Sequence, residues 1–178
     1  MDDGQPSLAG IRRVTMIDKT RIEDLVVITP ERHSDERGFF EELFRASNFV
    51  DVSWKQVNHS FSKIGVLRGI HVSPYAKLVT CIKGYILDVV VDLRPTSSTY
   101  LKWEMIQVSS DNRRQVYVPA HCGHAFLALD NSDVVYLQGG EYMGNEININ
   151  YADPKIGIDW PNREFILSDK DKNAPFLE

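Results

Sequence analysis

Leu67-Arg68-Gly69-Ile70-His71, then Lys77, and well downstream Pro119-Ala120-His121-Cys122-Gly123-His124 are the stretches on which the reading of this chain turns. Both lie within a succession of short β-type segments broken by turn residues. Strands are expected over 26–29, 39–44, 54–62, 66–72, 78–83, 85–93, 101–108, 115–118, 124–129, 134–138 and 147–151. Helical periodicity is almost absent until Ser168-Asp169-Lys170-Asp171, which reads as the first turn of a short helix. Many short strands at close spacing predict an all-β sandwich or barrel of two packed sheets. Residues 1–20 are polar and read as an arm, with an optional edge strand over 10–17, and residues 21–178 as a single domain.

The segment Tyr85-Ile86-Leu87-Asp88-Val89-Val90-Val91-Asp92-Leu93 is apolar on both faces apart from two aspartates on one of them, so it is expected to be a central strand. Two readings of those carboxylates stay open: one of them faces a ligand, or Asp92 pairs with Arg94 while Asp88 accepts hydrogen bonds inside the barrel. Among 178 residues, 43% hydrophobic and 25% charged content describes an ordinary globular protein large enough to bury a core. A net charge of -5 argues against a nucleic-acid binder, while leaving room for a local arginine to hold a small anion. Cys81 and Cys122 fit neither a zinc spacing nor a disulfide framework. With no basic leader and no long apolar run, a cytoplasmic protein with no membrane contact is expected.

Chemistry concentrates around the opening motif. His71 is the candidate base, because imidazole titrates nearest neutral pH. Strict alternation would set Arg68 and His71 on opposite faces, and Gly69 between them is a place for a bulge that turns both inward. Lys77 either caps a sheet edge or stabilises negative charge on a carbonyl oxygen, with His124 as a second donor. Tyr136 is core filling or a proton donor facing His71 across the barrel. Asp171 closes a helix turn with Ser168, or orients His71 as the third member of a relay does.

The arrangement resembles the cupin barrels, whose metal-binding members place two histidines one residue apart, then a glutamate, and a further histidine in a second motif. Ser73 stands where the second histidine would be, and no glutamate follows before Gly84. His71 and His124 alone are too few for a site of three or four protein ligands, so no metal and no cofactor is expected. More closely, the chain resembles the dTDP-4-dehydrorhamnose 3,5-epimerase family of cupin-type double-sheet jelly-roll barrels. The matching stretches are Asp35-Glu36-Arg37-Gly38-Phe39-Phe40, Gln56-Val57-Asn58-His59-Ser60, Gly65 to His71, Lys77-Leu78-Val79, Asp88 to Arg94, Pro119 to Phe126, Tyr136, Ile156 to Pro161 and Ser168 to Asp171.

The resemblance implies short peripheral helices, a nucleotide-diphosphate sugar as ligand and a homodimer. It also implies roles: His71 as base with Asp171 as its partner, Tyr136 returning a proton from the opposite face, and Lys77 with His124 holding an enolate oxygen. Arg68 would bind the diphosphate. Arg37, Phe40, Glu42, Gln56 and Asn58 would receive the nucleotide, partly across the dimer interface, with Tyr142 in the nucleotide or sugar pocket. Val57 stands where the family usually has aspartate, Ala76 where it has glycine, and the stretch between His71 and Lys77 is shorter than usual. These departures, with Lys77 to Cys81 and Thr99 to Glu104, resemble a branch acting on GDP-linked 4-keto heptoses, so dTDP and GDP are the nucleotides expected. The activity implied is inversion of C3, and of C5 as well, in a nucleotide-linked 4-keto sugar. Its rivals are a 3,4-ketoisomerase and a sugar-binding cupin that is noncatalytic or holds metal through His71, His121 and His124.

Overall fold

The computed structural model describes residues 16–144 and 146–178. Thirteen strands follow one another: β1 (Met16–Lys19), β2 (Val26–Thr29), β3 (Arg32–Asp35), β4 (Gly38–Glu41), β5 (Gln56–Ser62), β6 (Leu67–Val72), β7 (Lys77–Lys83), β8 (Tyr85–Asp92), β9 (Trp103–Ser109), β10 (Gln115–Val118), β11 (Cys122–Ala128), β12 (Ser132–Gln138) and β13 (Ile147–Asn148). Among the described residues a 3-10 turn, Ala46–Asn48, follows β4, and one α-helical turn, α1 (Asp169–Lys172), comes near the end. Six strands form one sheet in the order β1-β2-β10-β7-β12-β5, and five form the other in the order β13-β6-β11-β8-β9. β3 and β4 make a separate hairpin.

The inward side chains of the two sheets meet in a common core. Val79, Val116 and Val134 of the larger sheet pack with Ile86, Val90, Val108 and Phe126 of the smaller. Both sheets are also covered outside. Phe44, Phe49 and Trp54 lie over Leu78 and Tyr117 of the six-stranded sheet. Ile149, Ile156 and Trp160 lie over Ile70, Val89 and Val91 of the five-stranded one. That double covering is why β8 is apolar on both faces, and it sets the expected cupin-type barrel in place.

Several boundaries differ from expectation for local reasons. β1 pairs with β2 as an edge strand, so the sheet begins inside the stretch read as an arm; the remainder of the strand expected over 10–17 lies outside the described residues. β3, with the sequence Arg-His-Ser-Asp, has no apolar alternation to reveal it. The strand expected from 101 starts instead at Trp103, because Leu101 takes a positive φ of 62°. Of the aspartate readings, Asp92 is held by Arg94, at 2.9 Å from its Nε and 2.8 Å from its Nη2, while Asp88 accepts a hydrogen bond from a cavity histidine. Cys81 and Cys122 are buried, and burial pushes their thiols up to about 11 and about 12, away from the thiolate form that a nucleophile needs.

Candidate active site

Between the sheets, open at one end, lies a cavity of about 270 Å³ lined by Arg68, His71 and His124 from the five-stranded sheet and by Asn58, Lys77 and Tyr136 from the six-stranded one. Arg68 and His71 both reach it because β6 carries one residue too many. Across the ladder His71 faces His124 and Arg68 faces Phe126, so three steps on β6 match two on β11. Gly69 makes this possible. Its φ is +108°, and a Cβ there would lie 2.5 Å from the His124 carbonyl oxygen and 2.7 Å from the Ala125 Cβ. Ile70 turns outward into the covered apolar layer, fully buried.

His71 is braced from behind. Its Nε2 lies 2.7 Å from Oδ1 of Asp171, a buried carboxylate on α1. Burial alone would raise the Asp171 carboxyl, but hydrogen bonds from His71, the Ser168 hydroxyl and the Gly69 N–H prevail and lower it. An ionised acceptor takes its proton from Nε2, which leaves Nδ1 with the lone pair a base requires. The two readings of Asp171 are therefore one structure: the Ser168 hydroxyl accepts from the Asp171 backbone N–H at 3.1 Å, and the cap so formed aims the carboxylate.

His124 repeats the pattern, its Nε2 lying 2.7 Å from Oδ2 of the fully buried Asp88. Lys77 is on β7, inside its sheet, so the edge-capping reading fails. Its ammonium lies 3.2 Å from Oε1 of Glu146, and the Ser73 hydroxyl donates to the same oxygen at 2.5 Å. Burial lowers the Lys77 ammonium against the opposing pull of Glu146. Tyr136, half-buried on β12, faces the cavity from the sheet opposite His71. Its phenol is raised by burial and by nearby Glu146, against Arg68, so it holds its proton through neutral pH.

Gln56, Asn58 and Tyr142 line the outer part of the same cavity. Arg37, Phe40 and Glu42 are not brought to it. Arg37 sits exposed at the β3–β4 turn paired with Asp35, Phe40 is exposed on β4, and Glu42 pairs with Arg45. His121 lines a separate cavity with Arg94 and Tyr100, which separates it from the two histidines it would join in a metal-binding cupin. Sequence reasoning missed Glu146, Gln138 and Tyr75. Glu146 lies in an irregular segment with no periodicity. Ser73 was noticed for the histidine it replaces, whereas its hydroxyl in fact steadies the carboxylate facing Lys77.

A carboxylate-braced imidazole on one wall, with a neutral phenol and a buried cation on the other, can remove a carbon-bound proton, stabilise the resulting oxyanion and deliver a proton to the far face. That is the constellation of an isomerase of the cupin-barrel epimerase class. The model of the family described as dTDP-4-dehydrorhamnose 3,5-epimerase matches residues 19–178. A dTDP-4-dehydrorhamnose 3,5-epimerase of Methanothermobacter thermautotrophicus is 41% identical over 167 residues, covering 87% of this chain and 90% of its own. The crystal structure of the Legionella pneumophila dTDP-6-deoxy-D-glucose-3,5-epimerase in complex with dTDP-4-keto-L-rhamnose superposes with a TM-score of 0.87 at 36% identity, covering 90% of this chain and 92% of its own. A 3'-monoepimerase from Streptomyces bikiniensis in complex with dTDP-quinovose gives a TM-score of 0.82 at 39% identity, covering 88% and 85%. The chain belongs to the dTDP-4-dehydrorhamnose 3,5-epimerase family, and it is a nucleotide-sugar epimerase.

Proposed function

We propose that the cavity inverts C3 and then C5 of a dTDP-linked 4-keto-6-deoxyhexose without a cofactor. The observation that carries this reading is the 2.7 Å His71–Asp171 pair on one wall of a cavity whose opposite wall presents Tyr136. The 4-keto group acidifies the neighbouring carbons, because the carbanion relaxes into an enolate. His71 takes the proton, Lys77 and His124 meet the enolate oxygen, and Tyr136 returns a proton to the other face. Arg68, held at the cavity mouth by Ser62 and the Phe61 carbonyl, takes the diphosphate, while Gln56, Asn58 and Tyr142 receive the nucleotide end. A base and an acid on opposite sheets favour inversion over 3,4-ketoisomerisation, in which one group would act on one face.

The dTDP ligands of the two solved relatives support the nucleotide. A homodimer accounts for Arg37, Phe40 and Glu42, which complete the nucleotide end of a second copy. β5 is an edge strand whose Val57 and Phe61 are exposed, and Phe39 and Phe40 are exposed on the hairpin; each offers apolar side chains to such an interface. The cytoplasm, where nucleotide sugars are made, is the compartment this activity requires; among the described residues no helix is long and apolar enough to cross a membrane.

The test is turnover in deuterated water. Wild type labels C3 and C5 of the epimerised product. Tyr136→Phe labels the substrate while forming little epimer, since His71 can still remove and return a proton on its own face. Label at C3 alone reduces the activity to a 3-epimerase, and label at C4 with the carbonyl moved to C3 replaces it with a ketoisomerase. Tighter binding of GDP than of dTDP would transfer the reading to the GDP-linked heptoses.

A further inference from the structure

The outer wall of the cavity carries a chain of side-chain amides with a fixed direction. The Tyr142 backbone N–H donates to Gln56 Oε1 at 2.8 Å, and Gln56 Nε2 donates to Asn58 Oδ1 at 2.7 Å. Asn58 Nδ2 then donates to Gln138 Oε1, and Gln138 Nε2 donates to the Tyr75 hydroxyl at 2.8 Å. An isolated amide can flip end for end at little cost, exchanging the donor and acceptor it shows a ligand. Here one end forbids it. A backbone N–H can only donate, which pins Gln56 Oε1, and each amide in turn fixes the next.

Tyr75 is the far terminus, and it belongs to the shortened stretch between His71 and Lys77. Its ring is seated on Gly140, where an added Cβ would fall 2.4 Å from the ring Cδ1, so the hydroxyl is held in register with Gln138. Gln56 and Asn58 each keep one N–H and one lone pair outside the chain, in an orientation that the chain dictates.

Building on the proposed binding of a nucleotide sugar here, we infer that Tyr75 is a positioning residue for substrate recognition. Acting through Gln138, whose Nε2 donates to its hydroxyl, it anchors the far end of the chain that the Tyr142 N–H directs, holds Asn58 and Gln56 in place toward the nucleotide end, and so governs affinity rather than turnover. Nothing in the proton transfer needs the Tyr75 hydroxyl, and Gln138 is buried on β12 with its amide committed at both ends.

Tyr75→Phe keeps the ring on Gly140 and removes only the hydroxyl. The expected result is a KM for dTDP-4-keto-6-deoxyglucose raised about fivefold to tenfold, the worth of one hydrogen bond, with kcat within about twofold of wild type. dTDP binding measured by calorimetry should weaken in parallel. A double-mutant cycle separates positioning from a merely structural role: in a Gln138→Met background Tyr75→Phe should change KM no further. An unchanged KM in Tyr75→Phe, a loss confined to kcat, or full additivity in the cycle overturns the inference. The cycle also covers a poorly folding single variant, because Gln138→Met alone should raise KM by at least as much, and a wild-type KM there overturns the inference equally. If wild type itself neither binds dTDP nor turns over the sugar, it is the functional reading that fails.

Discussion

Two imidazole–carboxylate pairs of the same 2.7 Å length share one cavity, yet they are built differently. Asp88 is on β8, directly across the ladder from Phe126 and two residues from the partner of His124, so that pair is made within one sheet. Asp171 arrives from a helical turn a hundred residues after His71, held there by its own cap. Asp88 is wholly enclosed and its Oδ1 makes no hydrogen bond among the described residues, whereas Asp171 gathers donors from a side chain, a hydroxyl and a backbone N–H. His71 is also the more exposed ring, with 25% of its side chain accessible against 11% for His124. The pair proposed to exchange a proton is the one with the accessible ring and a buried carboxylate ringed by donors. The pair proposed only to present a donor is sunk in the sheet.

The sharpest way to break this comparison is to remove each ring. His71→Ala should cut solvent exchange of substrate carbon-bound protons by about 10⁴-fold, the upper range for loss of a general base, while His124→Ala should cost about 10²-fold by removing one oxyanion donor. Equal losses would make the two pairs equivalent and undo the assignment. Next come the carboxylates. Asp171→Asn should lower kcat by about 10²-fold or more through the wrong tautomer, and Asp88→Asn by about tenfold, as read by initial rates with circular dichroism confirming the fold.

Smaller effects sharpen the comparison further. Ser168→Ala removes the cap and one of the donors to the Asp171 carboxylate. It should cost about 1 kcal/mol of stability in urea unfolding and leave kcat within about threefold, because the Gly69 N–H and His71 still hold Asp171. A collapse of kcat would make the cap itself the positioning element. Asp92, on β8 with Asp88, serves as the structural reference. Burial would raise its carboxyl, but Arg94, Ser97 and Thr99 together bring it down to about 2. A carboxyl lower in the folded than in the unfolded chain stabilises fully above about pH 4, and that contribution disappears as the pH falls toward about 2. Asp92→Asn should therefore cost about 2 kcal/mol at pH 7 and flatten the loss of stability between pH 4 and pH 2, with kcat little changed.

The legible part of the molecule was the part governed by alternation and by residue chemistry. Val26–Thr29 and Gln115–Val118 emerge at their expected bounds because both carry β-branched runs in a sheet buried on both sides. His71, Lys77, His124 and Tyr136 converge as expected, and the bulge at Gly69 resolves the parity conflict between Arg68 and His71. The polar strand β3 was invisible because hairpin pairing, not an apolar face, sustains it. Glu146, Gln138 and Tyr75 were missed for another reason: each acquires its role from a partner remote in sequence, 69 residues away for Glu146 and Lys77, 80 for Gln138 and Asn58. Arg37, Phe40 and Glu42 were named from the resemblance, and the fold leaves them on the β3–β4 hairpin and just after it, away from the cavity.

The supernumerary residue of β6 has a consequence for ligand length. A regular strand offers inward groups only at multiples of about 7 Å, two residues at a time. The odd step at Gly69 fits three residues into the length of two, so this wall presents a guanidinium and an imidazole that an uninterrupted strand would turn to opposite faces. The wall acts as a ruler with one displaced mark, set between the guanidinium of Arg68 and the imidazole of His71. Relocating that mark, with every side chain kept, is the change by which a barrel of this kind would be refitted to a ligand whose charge lies nearer to, or farther from, its chemistry.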